Sequence, residues 1–226
     1  MTNHYIIKVC GMRDAENIRE VEQCSMLNDP LQLCWLARQE CSIDWMGFIF
    51  WPKSSRFVSQ VPAYLPKHCQ RVGVFVDASI GDIMSAVDSF ALNYIQLHGQ
   101  ESPSYIIQLK PHLPADVKII KAFNIATTDD LAQTKPYEGL ADIFLFDTKG
   151  KCVGGNGEKF DWTVLDAYTG NTPFLLSGGI GPDDAERVRN FQHDKCIGID
   201  LNSRFESAPA LKDAEKLKAF LQNVKM

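Results

Sequence analysis

The chain has 226 residues, of which 45% are hydrophobic and 23% charged, with a formal net charge of −5. That composition suits one globular domain. It excludes disorder, which needs fewer aliphatics and more charge imbalance, and a helical membrane protein, because no apolar run reaches about 18 residues.

In chain order, short apolar and β-branched runs occur at Tyr5–Val9, Met46–Phe50, Val72–Val76, Tyr94–Leu97, Lys118–Ala122, Asp142–Phe146, Pro173–Leu176 and Cys196–Ile199. Most of the intervening stretches carry helical apolar spacing. The first crossover, Asp14 to Trp45, is long; Asn28-Asp29-Pro30 breaks it, and Leu31–Arg38 resumes as a helix. In the last stretch, Leu211, Ala214, Leu217, Leu221 and Val224 share one face at steps of three and four. Eight strands alternating with helices predict parallel pairing and a single (β/α)8 TIM barrel spanning residues 1–226. The rival, an open doubly wound sheet, lacks its G-x-G-x-x-G signal after the first run. Eight exterior helices would offer several dimer surfaces, and no motif decides between monomer and homodimer.

The seven cysteines form no C-x-x-C pair, so neither a zinc site nor a disulfide framework is expected. The first residues have neither the basic opening nor the long apolar stretch of a signal peptide. Free thiols in such a chain point to a cytoplasmic protein. The mild acidity argues against nucleic acid as partner.

In a barrel, the loops after the strands form the active face. Lys8 and Cys10 end the first run on one face, and an adjacent ammonium should pull a thiol below its usual value of about 8.5. Cys10 is thus a candidate base or nucleophile, and the other six cysteines are read as small buried hydrophobes. The loop Trp51-Pro52-Lys53-Ser54-Ser55-Arg56 suits an anion, with Arg56 able to grip a carboxylate by two parallel bonds. Gln96 and His98 end the fourth run, and Asp147 ends the sixth. The glycine-rich stretch from Gly154 to Trp162 has the composition of a lid, with Asp161 as a cap. Gly178 and Gly179 follow the seventh run, and Asp200-Leu201-Asn202-Ser203-Arg204 follows the eighth. These are the two loops that commonly hold phosphate in this fold, and Pro182 fits the next helix start. Lys121 reads as an inward-facing structural lysine. The five histidines include no strand-end pair two residues apart, which disfavours a metal site.

The ordered blocks Lys-Val-Cys-Gly, Gly-Phe-Ile-Phe-x-Pro-Lys-Ser-x-Arg, Val-Gly-Val-Phe-Val, Gln-Leu-His-Gly, Gly-Gly-x-Gly-x-x-Phe-Asp-Trp, Ser-Gly-Gly-Ile and Asp-x-x-Ser-x-x-Glu run from Lys8 to Asp213. Together they resemble the phosphoribosylanthranilate isomerase family. The resemblance implies an Amadori rearrangement of N-(5-phosphoribosyl)anthranilate in tryptophan biosynthesis, with no metal or organic cofactor. It further implies Asp147 as general acid and Cys10 as general base. Arg56 would hold the anthranilate carboxylate, and Lys8, Gln96, His98 and Asp200 would line the pocket. Gly178, Gly179, Asn202 and Ser203 would hold the phosphate. An acid role requires a raised carboxyl pKa, expected from burial under the lid. The chain departs from the family pattern at Asn202 and Arg204, where serine and glycine are usual, and at Ala210, where glycine is usual. Ser55 and Asn156 are milder changes, replacing proline and threonine. Arg204 either avoids a left-handed backbone or is strained there, and a solvent-facing side chain is the simpler expectation. An indoleglycerol-phosphate synthase would want a lysine-glutamate constellation, and a pentose-phosphate epimerase metal-binding histidines. A non-catalytic phosphosugar-binding barrel would keep the phosphate loops but lose the acid or the base.

Overall fold

The computed structural model describes residues 5–24, 43–148 and 161–224. The expected turn at Asn28-Asp29-Pro30, the helix at Leu31–Arg38 and the glycine-rich stretch up to Phe160 lie outside the described residues. Eight parallel strands close a barrel in sequence order: β1 (Ile6–Cys10), β2 (Trp45–Ile49), β3 (Gln70–Phe75), β4 (Tyr94–Leu97), β5 (Lys118–Ile125), β6 (Ile143–Thr148), β7 (Phe174–Ser177) and β8 (Cys196–Leu201). All eight predicted runs form strands, with only their ends differing. Both faces of each strand are covered, which is why they read as continuous apolar runs. One face fills the lumen with Trp45, Val72, Ile120, Ala122, Ile143, Leu145 and Leu175. The other packs outward through Val9, Phe48, Leu97, Phe146, Leu176 and their neighbours.

The described helices are α1 (Ala15–Cys24), α2 (Ile80–Phe90), α3 (Pro103–Leu109), α4 (Ala185–Asn190) and α5 (Ala214–Val224). Local chemistry sets their starts. Ser79 caps α2 by accepting from the Asp82 amide, and Ser102 caps α3 by accepting from the Tyr105 amide ahead of Pro103. Pro182 opens a 3-10 turn that leads into α4.

The expectation of a helix after every strand is corrected. The crossover over 50–69 contains no helix, and β5 is followed by a 3-10 segment, Thr128–Tyr137, with Pro136 inside it. Proline removes a backbone donor and clashes with the preceding turn, so no α-helix can run through Pro136. Aromatic rings supply the missing bulk. Phe123 meets Tyr137, and Phe146 packs on Tyr168 and Phe174, with ring centroids 5.2, 5.1 and 4.6 Å apart. Full burial of such a side chain, as for Phe146 and Phe174, is worth about 1.5–3 kcal/mol. The C-terminal helix begins at Ala214. Leu211, expected on its face, instead lies exposed in the hairpin of β9 (Glu206–Ala208) and β10 (Leu211–Lys212), which sequence spacing does not anticipate.

Candidate active site

The C-terminal rim of the lumen is where the barrel turns polar. Ile7, Val9, Ile95, Leu97, Phe146, Leu176, Ile199 and Leu201 all face the outer layer. Strand alternation therefore aims Lys8, Cys10, Gln96, Asp147, Ser177 and Asp200 into the lumen. Register adds to this: Lys8 is opposite Asp200, Cys10 opposite Gly47, and Asp147 opposite Ser177. Lys8 Nζ donates to Asp200 Oδ1 at 2.7 Å, and Ser177 Oγ donates to Asp200 Oδ2 at 3.1 Å. Burial works to lower the Lys8 pKa, but the Asp200 carboxylate and the Cys10 sulfur outweigh it, so the ammonium is held more firmly than usual.

Cys10 is fully buried. A Cβ on Gly47 would stand 2.8 Å from its sulfur, so the facing strand must carry glycine for the thiol to fit. The expected lowering of its pKa is corrected. Burial pushes the Cys10 thiol up, and the opposing pull of Lys8, helped by Lys212, does not overcome it. The sequence shows the ammonium but not the loss of water around the sulfur, and here desolvation is the larger effect.

Arg56 reaches the rim from the loop after β2 and is already engaged. Its Nε donates to Glu206 Oε1 at 2.8 Å and Oε2 at 3.0 Å, and its Nη2 donates to Oε2 at 2.5 Å. One edge of the guanidinium is thus taken by Glu206, leaving the Nη1–Nη2 edge for any ligand carboxylate. Lys212 lies beneath, with Nζ 2.6 Å from Glu206 Oε1 and 2.9 Å from Asn202 Oδ1. Burial raises the Glu206 pKa, but Arg56 and Lys212 together hold it below the ordinary carboxylate range. Lys212 is itself lowered, by burial first, with Glu206 opposing. The two directions differ because Glu206 has two cations while Lys212 must rely on a carboxylate it shares. The carboxylate oxygen at 2.6 Å favours the ammonium form of Lys212 against that burial.

Across the rim, Gln96 Nε2 lies 2.9 Å from His98 Nδ1. An amide nitrogen only donates, so Nδ1 accepts and the ring proton sits on Nε2. That nitrogen is 3.6 Å from Asp147 Oδ2, too long for a direct hydrogen bond. The Asp147 side chain is 13% exposed. Gln96 Oε1 is a buried acceptor with no hydrogen-bond partner among the described residues.

Lys121 is structural, as expected, but its direction is corrected. It shares the outward face of Ile119 and Phe123, with Nζ donating to Gly99 O at 2.9 Å and Glu101 Oε2 at 3.1 Å.

In the two expected phosphate loops, Gly178 and Gly179 adopt φ of +100° and +68°, a left-handed backbone that side chains disfavour. Ser203 opens a 3-10 turn, Ser203–Phe205, whose first amides have no partner within it. The Asn202 side chain turns to Lys212, so its backbone is what it can offer a ligand. Arg204 avoids positive φ and is exposed, its stem lying beside Gly181. The strain falls instead at Ala210, with φ of +65°. Asp161 caps the 3-10 segment Trp162–Ala167 by accepting from the Thr163 amide at 3.0 Å, as its sequence position suggests.

Cavities do not all coincide with this chemistry. One of about 630 Å3 is lined by Asp161, Trp162 and Arg187 and includes none of Lys8, Cys10, Arg56, Gln96, His98, Asp147, Asp200, Glu206 or Lys212. Another, of about 260 Å3, reaches the rim at His98 and Asn124. The convergent ionisable groups, rather than volume, mark the rim as the site. Sequence reading missed three parts of it. Ser177 was hidden beside the glycines. Glu206 stands in the motif after β8 without a role, although an arginine near an acid-bearing loop is a signal. Lys212 gave no signal, because the hairpin that carries it is not legible in the spacing.

The sequence pattern described as N-(5'phosphoribosyl)anthranilate (PRA) isomerase matches residues 36–223. The N-(5'-phosphoribosyl)anthranilate isomerase of Phocaeicola vulgatus is 46% identical over 97% of this chain and 98% of its own length. That of Parabacteroides distasonis is 46% identical over 97% of this chain and 93% of its own. Among solved structures, phosphoribosyl anthranilate isomerase from Thermotoga maritima superposes with a TM-score of 0.74 at 26% identity, covering 98% of each chain. With a buried thiol and a carboxylate at the mouth of a closed eight-stranded barrel, and sequence similarity along nearly its whole length, the chain belongs to the N-(5'-phosphoribosyl)anthranilate isomerase family.

Proposed function

We propose that the chain isomerises N-(5-phosphoribosyl)anthranilate to 1-(2-carboxyphenylamino)-1-deoxyribulose 5-phosphate, the Amadori step of tryptophan biosynthesis, in the cytosol. Asp147 gives its carboxyl proton to the furanose oxygen as the C1′–O bond breaks, leaving a protonated Schiff base. Cys10, as thiolate, removes the C2′ proton, and the electron pair forms the C1′=C2′ bond and neutralises the nitrogen. The enolamine then tautomerises, C1′ gaining a proton and the C2′ hydroxyl losing one. None of these steps calls for a metal or organic cofactor. The supporting observation is that Cys10 on β1 and Asp147 on β6 both face the lumen at its C-terminal end, with Lys8 beside the thiol and His98 beside the acid.

Arg56 receives the anthranilate carboxylate on its free edge, and Gln96 Oε1 accepts from a sugar hydroxyl. Lys8 and Asp200 hold the charge balance next to Cys10. The backbone at Gly178, Gly179, Asn202 and Ser203 takes the phosphate. The protein acts as a monomer or a homodimer on this small phosphorylated aminosugar. The test is turnover of freshly generated substrate, followed by loss of its fluorescence, without added metal. Cys10→Ser and Asp147→Asn should each lower kcat by roughly 10²–10⁴ while leaving the protein folded. Near-normal turnover in either variant would remove that residue from the mechanism, and affinity without turnover in the unmodified protein would leave a binding barrel.

A further inference from the structure

The guanidinium assigned to the substrate carboxylate poses a charge problem. Glu206 occupies one edge of Arg56 with three short contacts and is itself nearly buried, its side chain 5% exposed. An arginine so paired forms a neutral unit, and a neutral unit attracts a second carboxylate weakly. Lys212 changes that balance. Its side chain is wholly shielded from solvent, and its ammonium bonds Oε1 of the same Glu206 carboxylate. Two cations then share one anion, and the cluster carries a net positive charge.

The geometry also ties this cluster to the reacting end of the site. Gly11 directly follows Cys10, and a Cβ built on it would meet Arg56 Cδ at 2.8 Å, Asn202 Oδ1 at 2.9 Å and Lys212 Nζ at 3.4 Å. The three side chains therefore close around the backbone next to the thiol. Asn17 holds Lys212 in place through its backbone: the Lys212 amide donates to Asn17 Oδ1 at 2.7 Å, and Asn17 Nδ2 donates to the Lys212 carbonyl at 2.8 Å.

We infer that Lys212 is a positioning residue that sets selectivity for a carboxylate-bearing substrate, by restoring through Glu206 the positive charge that Arg56 alone would lack. Lys212 need not touch the substrate. It acts by leaving the free edge of Arg56 in a positive field, and it fixes Glu206 so that this edge faces the lumen. The inference rests on Arg56 receiving the carboxylate, and the test separates the two ideas.

The experiment compares kcat and KM for N-(5-phosphoribosyl)anthranilate and for the aniline analogue, which lacks the carboxylate, in the unmodified protein and in Lys212→Met, Lys212→Gln and Lys212→Arg. Gln keeps a donor for Glu206 and Asn202 without charge, so it stands in if Met does not fold. Removing the charge should raise KM for the carboxylated substrate roughly 10- to 100-fold, the scale for a unit charge several Å away at an effective dielectric near 20. The analogue's KM should change little, kcat should fall by the same factor on both substrates as the pull of Lys212 on the Cys10 thiol is lost, and Arg should restore the preference. Equal rises in KM on both substrates, or an undiminished preference in both neutral variants, would overturn the inference while leaving Arg56 in its role. If the unmodified protein showed no preference for the carboxylated substrate, the reading of Arg56 would fall and the inference with it.

Discussion

Two buried lysine–carboxylate pairs sit at the same end of the barrel, on opposite faces of its wall. Lys8 and Asp200 meet at 2.7 Å inside the lumen, while Lys121 and Glu101 meet at 3.1 Å on the outer face. Both lysines are almost inaccessible, yet their proton affinities move in opposite directions. Burial tends to lower both. For Lys8, Asp200 and Cys10 reverse the effect. For Lys121, burial wins over Glu101. The partners explain the difference. Lys121 is surrounded largely by neutral carbonyls, those of Leu97, Gly99 and Ala122. Its carboxylate is also committed to the amides of Asp77 and Gly99. Burial therefore does not distinguish the two pairs; the face of the strand that carries each does, and only the Lys8–Asp200 pair faces the proposed site.

The largest expected break between the pairs comes from neutralising each lysine. Lys8→Met strands Asp200 in the lumen and should cost about 3–5 kcal/mol of stability, with kcat falling roughly 10²-fold as the field around Cys10 changes. Lys121→Met leaves Glu101 with its amide donors, so a smaller cost of about 1–3 kcal/mol is expected, with kcat close to its original value. Urea unfolding and steady-state kinetics on both variants check this. A larger kcat loss in Lys121→Met than in Lys8→Met would undo the distinction.

Alkaline stability sharpens the same contrast. The Lys8 pKa is raised above 10.5, so the native state keeps a proton that the unfolded chain releases. Its stabilising contribution is present below 10.5 and is lost as pH climbs through the folded value. The Lys121 pKa is lowered below 10.5, so its contribution grows as pH rises from the folded value toward 10.5. Unfolding free energies from about pH 8 to about pH 11, each taken relative to the matching Met variant, should slope in opposite directions.

A subtler effect lies in the rate profile. In the proposed mechanism the thiolate form of Cys10 is the base, and burial pushes its pKa above 9.0. The rising limb of kcat/KM, which reports the free enzyme, should therefore extend above pH 9.0. A limb centred below that value would mean that Lys8 dominates after all.

The smallest effect lies outside both pairs. Ala210 holds φ of +65° while its amide donates to Glu206 at 3.2 Å. Glycine there removes a penalty of about 1–2 kcal/mol but adds unfolded-chain entropy of about 0.4–1 kcal/mol. Ala210→Gly should raise the melting temperature slightly, as thermal unfolding would show.

The eight strands were legible because continuous burial writes itself as apolar runs, and Lys8, Cys10, Asp147 and Asp200 were legible as polar residues at the ends of those runs. The thin part of the outer layer was not, since apolar spacing says nothing about whether Pro136 permits an α-helix. The Glu206–Lys212 link was hidden for another reason. It depends on a short hairpin that brings together two residues of β9 and β10, and period-two alternation over so few residues carries no signal. The direction of the Cys10 shift was misread because sequence displays neighbouring charge but not the exclusion of water.

The ion pair between Lys8 and Asp200 spans 192 positions of the chain. A ribosome must therefore emit all the strands from β1 to β8 before the ammonium on the first strand can meet its counter-ion on the last. Until then β1 and β7 remain open sheet edges, available to other chains and to chaperones. Closure seals both edges and assembles the proposed catalytic rim in one event, so fragments ending before Cys196 should be inactive however well their earlier strands pair. Enzymatic activity in a cell extract thus doubles as a readout of chains extended past β8.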